Sequence, residues 1–71
     1  MVSCTLYDKE QDTAEFYADT EDELINLPNL NESGKGELKN INTVHAGSTC
    51  LLPTGEVYVL TGSNTWEKLG G

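Results

Sequence analysis

The 71-residue chain contains no arginine, and its four lysines face twelve acidic residues, so the formal net charge is −8. A protein that binds DNA, RNA or an anionic membrane needs clustered basic side chains to meet the phosphate charge. We therefore expect no nucleic acid and no membrane among its partners. The acids are also unevenly placed: residues 8–32 hold nine acids and one lysine, whereas the remainder holds three acids and three lysines.

Long apolar runs and cysteines are also scarce. No run approaches the roughly 20 residues of a membrane span, and no charged-then-apolar leader opens the chain, so we expect a soluble, unexported protein. Cys4 and Cys50 are too few for a secreted disulfide framework. They could pair if their strands are neighbours, but we favour free, buried thiols in a reducing compartment.

Catalytic and metal-binding motifs are missing from the pattern. His45 is the only histidine, and no paired cysteine or histidine spacing accompanies it to hold zinc. The consecutive acids at 21–23 point in different directions on a helix and lack the central glycine of a calcium loop. Serine, histidine and aspartate occur without a nucleophile elbow. We predict no enzymatic activity, no metal and no cofactor.

The segment Ser48–Leu69 predicts three strands. Thr49–Leu52 and Val57–Leu60 are rich in β-branched, aromatic and aliphatic residues, and a proline and a glycine lie between them. A second cluster of turn formers at 61–64 precedes Thr65–Leu69, which alternates as a half-buried strand does. The pattern is typical of a three-stranded antiparallel meander.

The amino-terminal half predicts a strand pair and one short helix. Apolar and polar residues alternate from Val2 to Tyr7, and residues 13–18 are the returning strand after a polar turn. Thr20 and Glu23 match a capping box, so a helix should run from Glu21 to about Asn26, before Pro28 ends it. The predicted fold is a single small domain over residues 1–71, mainly β (small α+β).

The middle strand, Val57–Leu60, has no polar face, which predicts cover on both sides, with one layer supplied by the amino-terminal half or by another protein molecule. A chain of this size buries only about 60% of its unfolded surface, so we expect self-association or docking onto another protein. Tyr58, Leu60 and Trp66 are the predicted partner-binding residues.

The chain ends in Gly70-Gly71, as ubiquitin-like proteins and small sulfur carriers also do. Those folds place a long helix after the first hairpin, whereas Pro28 ends the only predicted helix after about two turns. We therefore interpret the two glycines as a frayed terminus.

Five short segments form a recognisable series: Thr20–Leu24, Leu27–Pro28, Ala46–Cys50, Gly55–Leu60 and Asn64–Leu69. Together they resemble the small proteins encoded among the virion structural genes of tailed bacteriophages and prophages. Those proteins carry a leucine-proline, then a proline- or alanine-glycine-serine, then a valine-tyrosine-methionine or leucine, then a tryptophan followed by valine or glutamate and a lysine-leucine. The resemblance covers about residues 19–69, with Leu60 where methionine is common.

The resemblance implies a particle-associated protein of head, connector or tail, located in the virion and in the host cytoplasm during assembly. It implies a non-catalytic structural or interaction module that acts as a homo-oligomer or docks onto a larger virion protein. A second class stays open, in which a small acidic phage protein inhibits a host protein by mimicking nucleic acid. The acids from Asp8 to Glu23 would then be the working surface.

Overall fold

The computed structural model describes residues 1–70, and Gly71 lies outside the described residues. Five strands form one sheet in the order β1-β2-β3-β4-β5, which confirms the mainly β prediction. Neighbouring strands are antiparallel except β2 and β3, which are parallel. The strands are β1 (Val2–Asp8), β2 (Thr13–Ala18), β3 (Thr49–Leu51), β4 (Val57–Leu60) and β5 (Trp66–Lys68).

The β1–β2 hairpin closes through a polar turn, as its sequence predicts. The Asp8 carboxylate accepts the backbone N–H groups of Glu10 and Gln11 at 3.0 and 3.3 Å. Asp12 takes a φ of +57°, a left-handed conformation that aspartate tolerates better than most residues. The register shifts between Cys4 and Leu6, so a bulge interrupts the edge strand β1.

The carboxy-terminal meander also forms as predicted. In the first turn the Leu52 N–H donates to the Glu56 carbonyl at 2.9 Å, while Gly55 takes a φ of +90° that favours glycine. In the second turn the Thr61 N–H donates to the Thr65 carbonyl at 2.9 Å. Two short turns therefore fix the register of β3, β4 and β5.

The predicted short helix occupies Glu21–Asn26 but is a 3-10 helix, and residues 1–70 contain no α-helix. The capping box is wrong, because the Thr20 side chain makes no capping hydrogen bond. Glu23 instead accepts the Met1 ammonium at 2.7 Å, and a cation is a stronger partner for a carboxylate than a neutral amide. Leu27, before Pro28, is extended, so too few residues remain to nucleate an α-helix.

The parallel pairing of β2 with β3 requires a long connection, and residues 19–48 provide it by crossing one face of the sheet. This crossing segment contains the 3-10 helix at Glu21–Asn26 and a second one at Gly36–Leu38. Its apolar side chains meet those of the strands in one core. The buried apolar residues are Val2, Ala14, Phe16, Ala18, Leu27, Leu38, Val44, Cys50, Leu52, Tyr58 and Leu60.

The chain itself covers the middle strand on one face, and cover of the other face by another protein molecule stays a prediction. Tyr58 and Leu60 are buried, whereas Val57 and Val59 are only half-buried. The crossing segment covers the face that carries Tyr58 and Leu60, and residues 1–70 supply no second layer for the other face. Self-association or docking onto another protein therefore stays the predicted source of a second layer.

The two cysteines are free and lie on the covered face. Cys4 lies opposite Phe16, and Phe16 lies opposite Cys50, so one strand separates the two thiols. Two strand spacings amount to about 10 Å, beyond the roughly 7 Å between Cα atoms that a disulfide bridges.

No helix within residues 1–70 has the length and apolar character needed to cross a membrane.

Candidate protein-docking face

The sheet has one face without cover, which we call the open face. Its side chains are those that alternate with the buried positions on each strand. Leu51 is 45% exposed and Leu6 is 56% exposed, while Tyr17 is half-buried. The open face consists of Ser3, Leu6, Glu15, Tyr17, Thr49, Leu51, Val57, Val59 and Glu67.

Cross-strand register places the apolar members of this face side by side. Tyr17 lies opposite Leu51 in the β2–β3 ladder, and Leu51 lies opposite Val57 in the β3–β4 ladder. Val59 follows on the same side, opposite Thr49. The result is a continuous apolar strip across three strands, of the kind that marks a protein interaction site when it stays exposed.

Two shallow depressions indent the open face. One, of about 320 Å³, is lined by Tyr17, Leu51 and Val57, and the other, of about 160 Å³, is lined by Leu6 and neighbouring residues. Glu15 and Thr49 line both depressions. The Glu15 carboxylate therefore stands between a largely apolar depression and a smaller one that Asp8 and Thr13 also line.

Glu15 differs from most other acids in its contacts. Nine of the twelve carboxylates accept a hydrogen bond or form an ion pair within residues 1–70. Glu10, Glu15 and Asp22 are the three whose carboxylates make no such contact there. Glu10 lies in an exposed turn and Asp22 at an exposed helix start, so Glu15 alone of the three lies within the sheet.

Two of the predicted partner-binding residues lie in the core. Tyr58 is 8% exposed and Leu60 is 1% exposed, both on the covered face. The Tyr58 hydroxyl donates to Glu21 at 3.1 Å, and burial together with this bond raises the pKa of the phenol. Their binding role stays a prediction, but the apolar surface that the fold leaves exposed is on the opposite side of the sheet.

Trp66, the third predicted residue, attaches β5 to the crossing segment. Its indole Nε1–H donates to the Pro28 carbonyl at 3.1 Å, and its ring meets Phe16 edge-on with centroids 6.1 Å apart. The side chain is half-buried against the core. The Trp66 side chain therefore packs within the chain, and it does not lie on the open face.

The fold does bring Asp12, His45 and Ser48 into one region. His45 Nε2 lies 3.6 Å from Asp12, and its Nδ1 lies 3.0 Å from the Gln11 carbonyl. The Ser48 hydroxyl, however, donates to the His45 backbone carbonyl at 2.9 Å and accepts the Ala14 N–H at 3.1 Å. Because Ser48 is buried and bonded to backbone on both sides, it ties β3 to β2 and offers no free nucleophile.

Two further ionisable groups have perturbed pKa values of structural origin. Burial raises the pKa of the Cys50 thiol to about 11, which leaves it protonated and unreactive at neutral pH. The carboxylates of Glu23 and Asp19 bind the Met1 ammonium and raise its pKa to about 10. Within residues 1–70, no group of three or more potential ligands could hold a metal ion.

Sequence reasoning missed Glu15, Tyr17 and Leu51 because it worked strand by strand. Val57–Leu60 is apolar at every position, so its own pattern does not show which side chains face the core. The signal lay in β2, where Ala14, Phe16 and Ala18 alternate with Glu15 and Tyr17. Carrying that alternation across the ladders would have identified the open face.

The chain matches no protein-family model, and no curated protein and no solved structure is significantly similar to it.

Proposed function

We propose that this chain is a non-catalytic interaction module of a tailed-phage particle, and that it docks through the open face onto a larger virion protein. The observation that carries the proposal is the apolar strip of Tyr17, Leu51, Val57 and Val59 on a sheet whose other face is already filled. Folding does not require this strip to be apolar, since half-exposed positions on one side of a sheet are ordinarily polar. The phage setting rests on the sequence resemblance over residues 19–69.

Small size supports docking over independent action. A 71-residue domain with one core has a modest margin of stability, and binding to a folded partner adds to it by mass action. The depressions on the open face are shallow and shared between apolar and polar groups. Such a surface suits side chains from a protein more than an enclosed small molecule.

The acidic inhibitor hypothesis receives less support from the positions of the acids. Asp8 and Asp12 hold the hairpin turn, and Glu21 and Glu23 bind Tyr58 and Met1. These carboxylates keep their charge, but the contacts within the chain give each of them a structural reason to be acidic that needs no nucleic-acid mimicry. No contact in the described part of the chain favours this second function, so we do not propose it.

The test is the composition of purified particles. We expect mass spectrometry of particles from the encoding phage or prophage, banded in a density gradient and washed in high salt, to find the chain. It should be present in a fixed ratio to a head, connector or tail protein. Its absence from intact particles, while it is abundant in the infected cell, would contradict the proposal.

A further inference from the structure

We infer that the partner's docking surface carries a lysine or arginine side chain, flanked by apolar residues, that pairs with Glu15 between the two depressions of the open face. This inference rests on the proposed function, since it names the chemistry of the partner that the open face would take. It follows from charge complementarity between the face and whatever covers it.

The first step is the cost of covering Glu15. A partner that buries the apolar strip also removes water from the Glu15 carboxylate, which has no hydrogen bond or ion pair within residues 1–70. An unpaired charge in an interface is strongly unfavourable, whereas a paired and hydrogen-bonded one is tolerated or favourable. The partner surface must therefore place a cationic side chain beside the Glu15 carboxylate. The alternative, leaving the carboxylate in water, would keep much of the open face out of contact with the partner.

A second copy of this chain, docked through its own open face, does not supply the required cation. None of the four lysines projects from the open face. Lys68 lies opposite Tyr58 and so points to the covered side, and the others lie outside the strands, at Lys9, Lys35 and Lys39. Two open faces in contact would bury the Glu15 and Glu67 carboxylates of both copies with no lysine on either face to pair with them, which opposes association.

The area of the open face also disfavours a dimer. Five strands of three to seven residues, about 10 to 24 Å long and about 4.8 Å apart, give a face with a flat area of roughly 400 Å². A stable dimer buries about 800 Å² on each partner, so the open face by itself is too small for one. A larger protein with a matching charge can use a small face as one of several contacts.

The geometry also constrains how the cation arrives. Glu15 and Thr49 separate the two depressions, so a partner strand could place one apolar side chain against Leu51 in the larger depression and another against Leu6 in the smaller one, while a residue between them reaches Glu15. Alternate residues of an extended segment lie about 6.8 Å apart on one side, which suits this arrangement. The expected pattern is apolar, polar, basic, polar, apolar.

We would test this with a synthetic peptide, acetyl-Leu-Ser-Arg-Ser-Leu-amide, titrated into the isotopically labelled chain and followed by NMR. Its control is the same peptide with citrulline, the uncharged isostere, in place of arginine. We expect saturable shifts at the amides of Tyr17, Thr49 and Leu51, with a dissociation constant on the order of 1 mM. Glu15→Gln should weaken binding about fivefold, to the level of the citrulline peptide, since a partly exposed ion pair contributes up to about 1 kcal/mol.

Glu10→Gln is the matched protein control, because Glu10 is also exposed and also without a carboxylate contact, but it lies outside the sheet. Its affinity for the peptide should equal that of the unchanged chain. The inference is overturned by the absence of saturable shifts, by shifts that map away from the open face, or by equal binding of the Glu15→Gln and Glu10→Gln variants.

Sedimentation of the free chain at micromolar concentration completes the test. We expect a monomer, and a dimer that Leu51→Asp abolishes would show that a second copy covers the face and would overturn the inference. Failure here is distinct from failure of the proposed function. Presence of the chain in particles without peptide binding overturns the inference alone, whereas Glu15-dependent peptide binding by a chain absent from particles overturns the proposed function alone.

Discussion

Replacing Trp66 by alanine tests whether the tryptophan is a packing residue, as its contacts indicate. The half-buried indole removes about 100 Å² of apolar surface from water, which at about 25 cal/mol per Å² stabilises the fold by roughly 2.5 kcal/mol. Loss of the edge contact with Phe16 and of the hydrogen bond to Pro28 each adds about 1 kcal/mol. We expect Trp66→Ala to lower the free energy of unfolding by about 4 kcal/mol.

That loss is large for this chain. At about 0.05 to 0.15 kcal/mol per residue, 71 residues give a total stability of roughly 4 to 10 kcal/mol. Trp66→Phe is the milder companion variant, since it keeps a ring against Phe16 and removes only the Nε1–H donor. We expect it to cost about 1 to 2 kcal/mol, which leaves a measurable transition even where the alanine variant is unfolded.

The assay is urea unfolding followed by far-ultraviolet circular dichroism, because the substitution removes the only tryptophan fluorophore. The slope of free energy against urea should be unchanged in the phenylalanine variant, which would show that the same surface is exposed on unfolding. A decrease in the free energy of unfolding below about 1 kcal/mol for Trp66→Ala would refute the packing role. Trp66 would then be a surface residue and a candidate partner contact.

Three further predictions concern other parts of the fold. Ser48→Ala leaves the buried backbone N–H of Ala14 in β2 without an acceptor, so urea unfolding should show a free energy of unfolding lower by about 1 to 3 kcal/mol. A decrease within about 0.5 kcal/mol would contradict the role of Ser48 in tying β3 to β2. The raised pKa of the Met1 ammonium contributes stability that is fully present below pH 8.0 and is lost as pH rises through about 10. Between these pH values the urea midpoint of unfolding should therefore fall more in the unchanged chain than in Glu23→Gln. Equal decreases in the two proteins would refute a stabilising role of the Met1 ammonium. Iodoacetamide at pH 8 should label half-exposed Cys4 first and Cys50 only on unfolding, and rapid labelling of Cys50 in the native state would contradict its burial.

Local sequence signals predicted most of the sheet. The hairpin of β1 and β2 and the meander of β3 to β5 have short turns whose residues select the conformation, as Gly55 and Asp12 do. These elements depend on neighbours in sequence, so a strand-by-strand interpretation finds them. The parallel pairing of β2 with β3 depends instead on contacts between residues more than thirty positions apart, and no local pattern encodes it.

The same distinction explains the helix and the docking face. Thr20 and Glu23 have the spacing of a capping box, but the Met1 ammonium takes the Glu23 carboxylate, a competition visible only once the ends of β1 and β2 meet. Tyr58 and Leu60 look like exposed interface residues in an all-apolar strand, yet the crossing segment buries them. The open face is what remains when that cover is in place.

Docking through the open face is tested most directly by the amount of a Leu51→Asp variant incorporated into purified particles, relative to the amount of Ile25→Asp. Leu51 lies on the open face, and Ile25, which is 77% exposed, lies on the 3-10 helix away from it. Both variants should fold, since each changes an exposed side chain. We predict that Ile25→Asp is incorporated like the unchanged chain, while Leu51→Asp falls by about tenfold or more, because it puts an unpaired charge into the interface. Equal incorporation of the two folded variants would contradict docking through the open face.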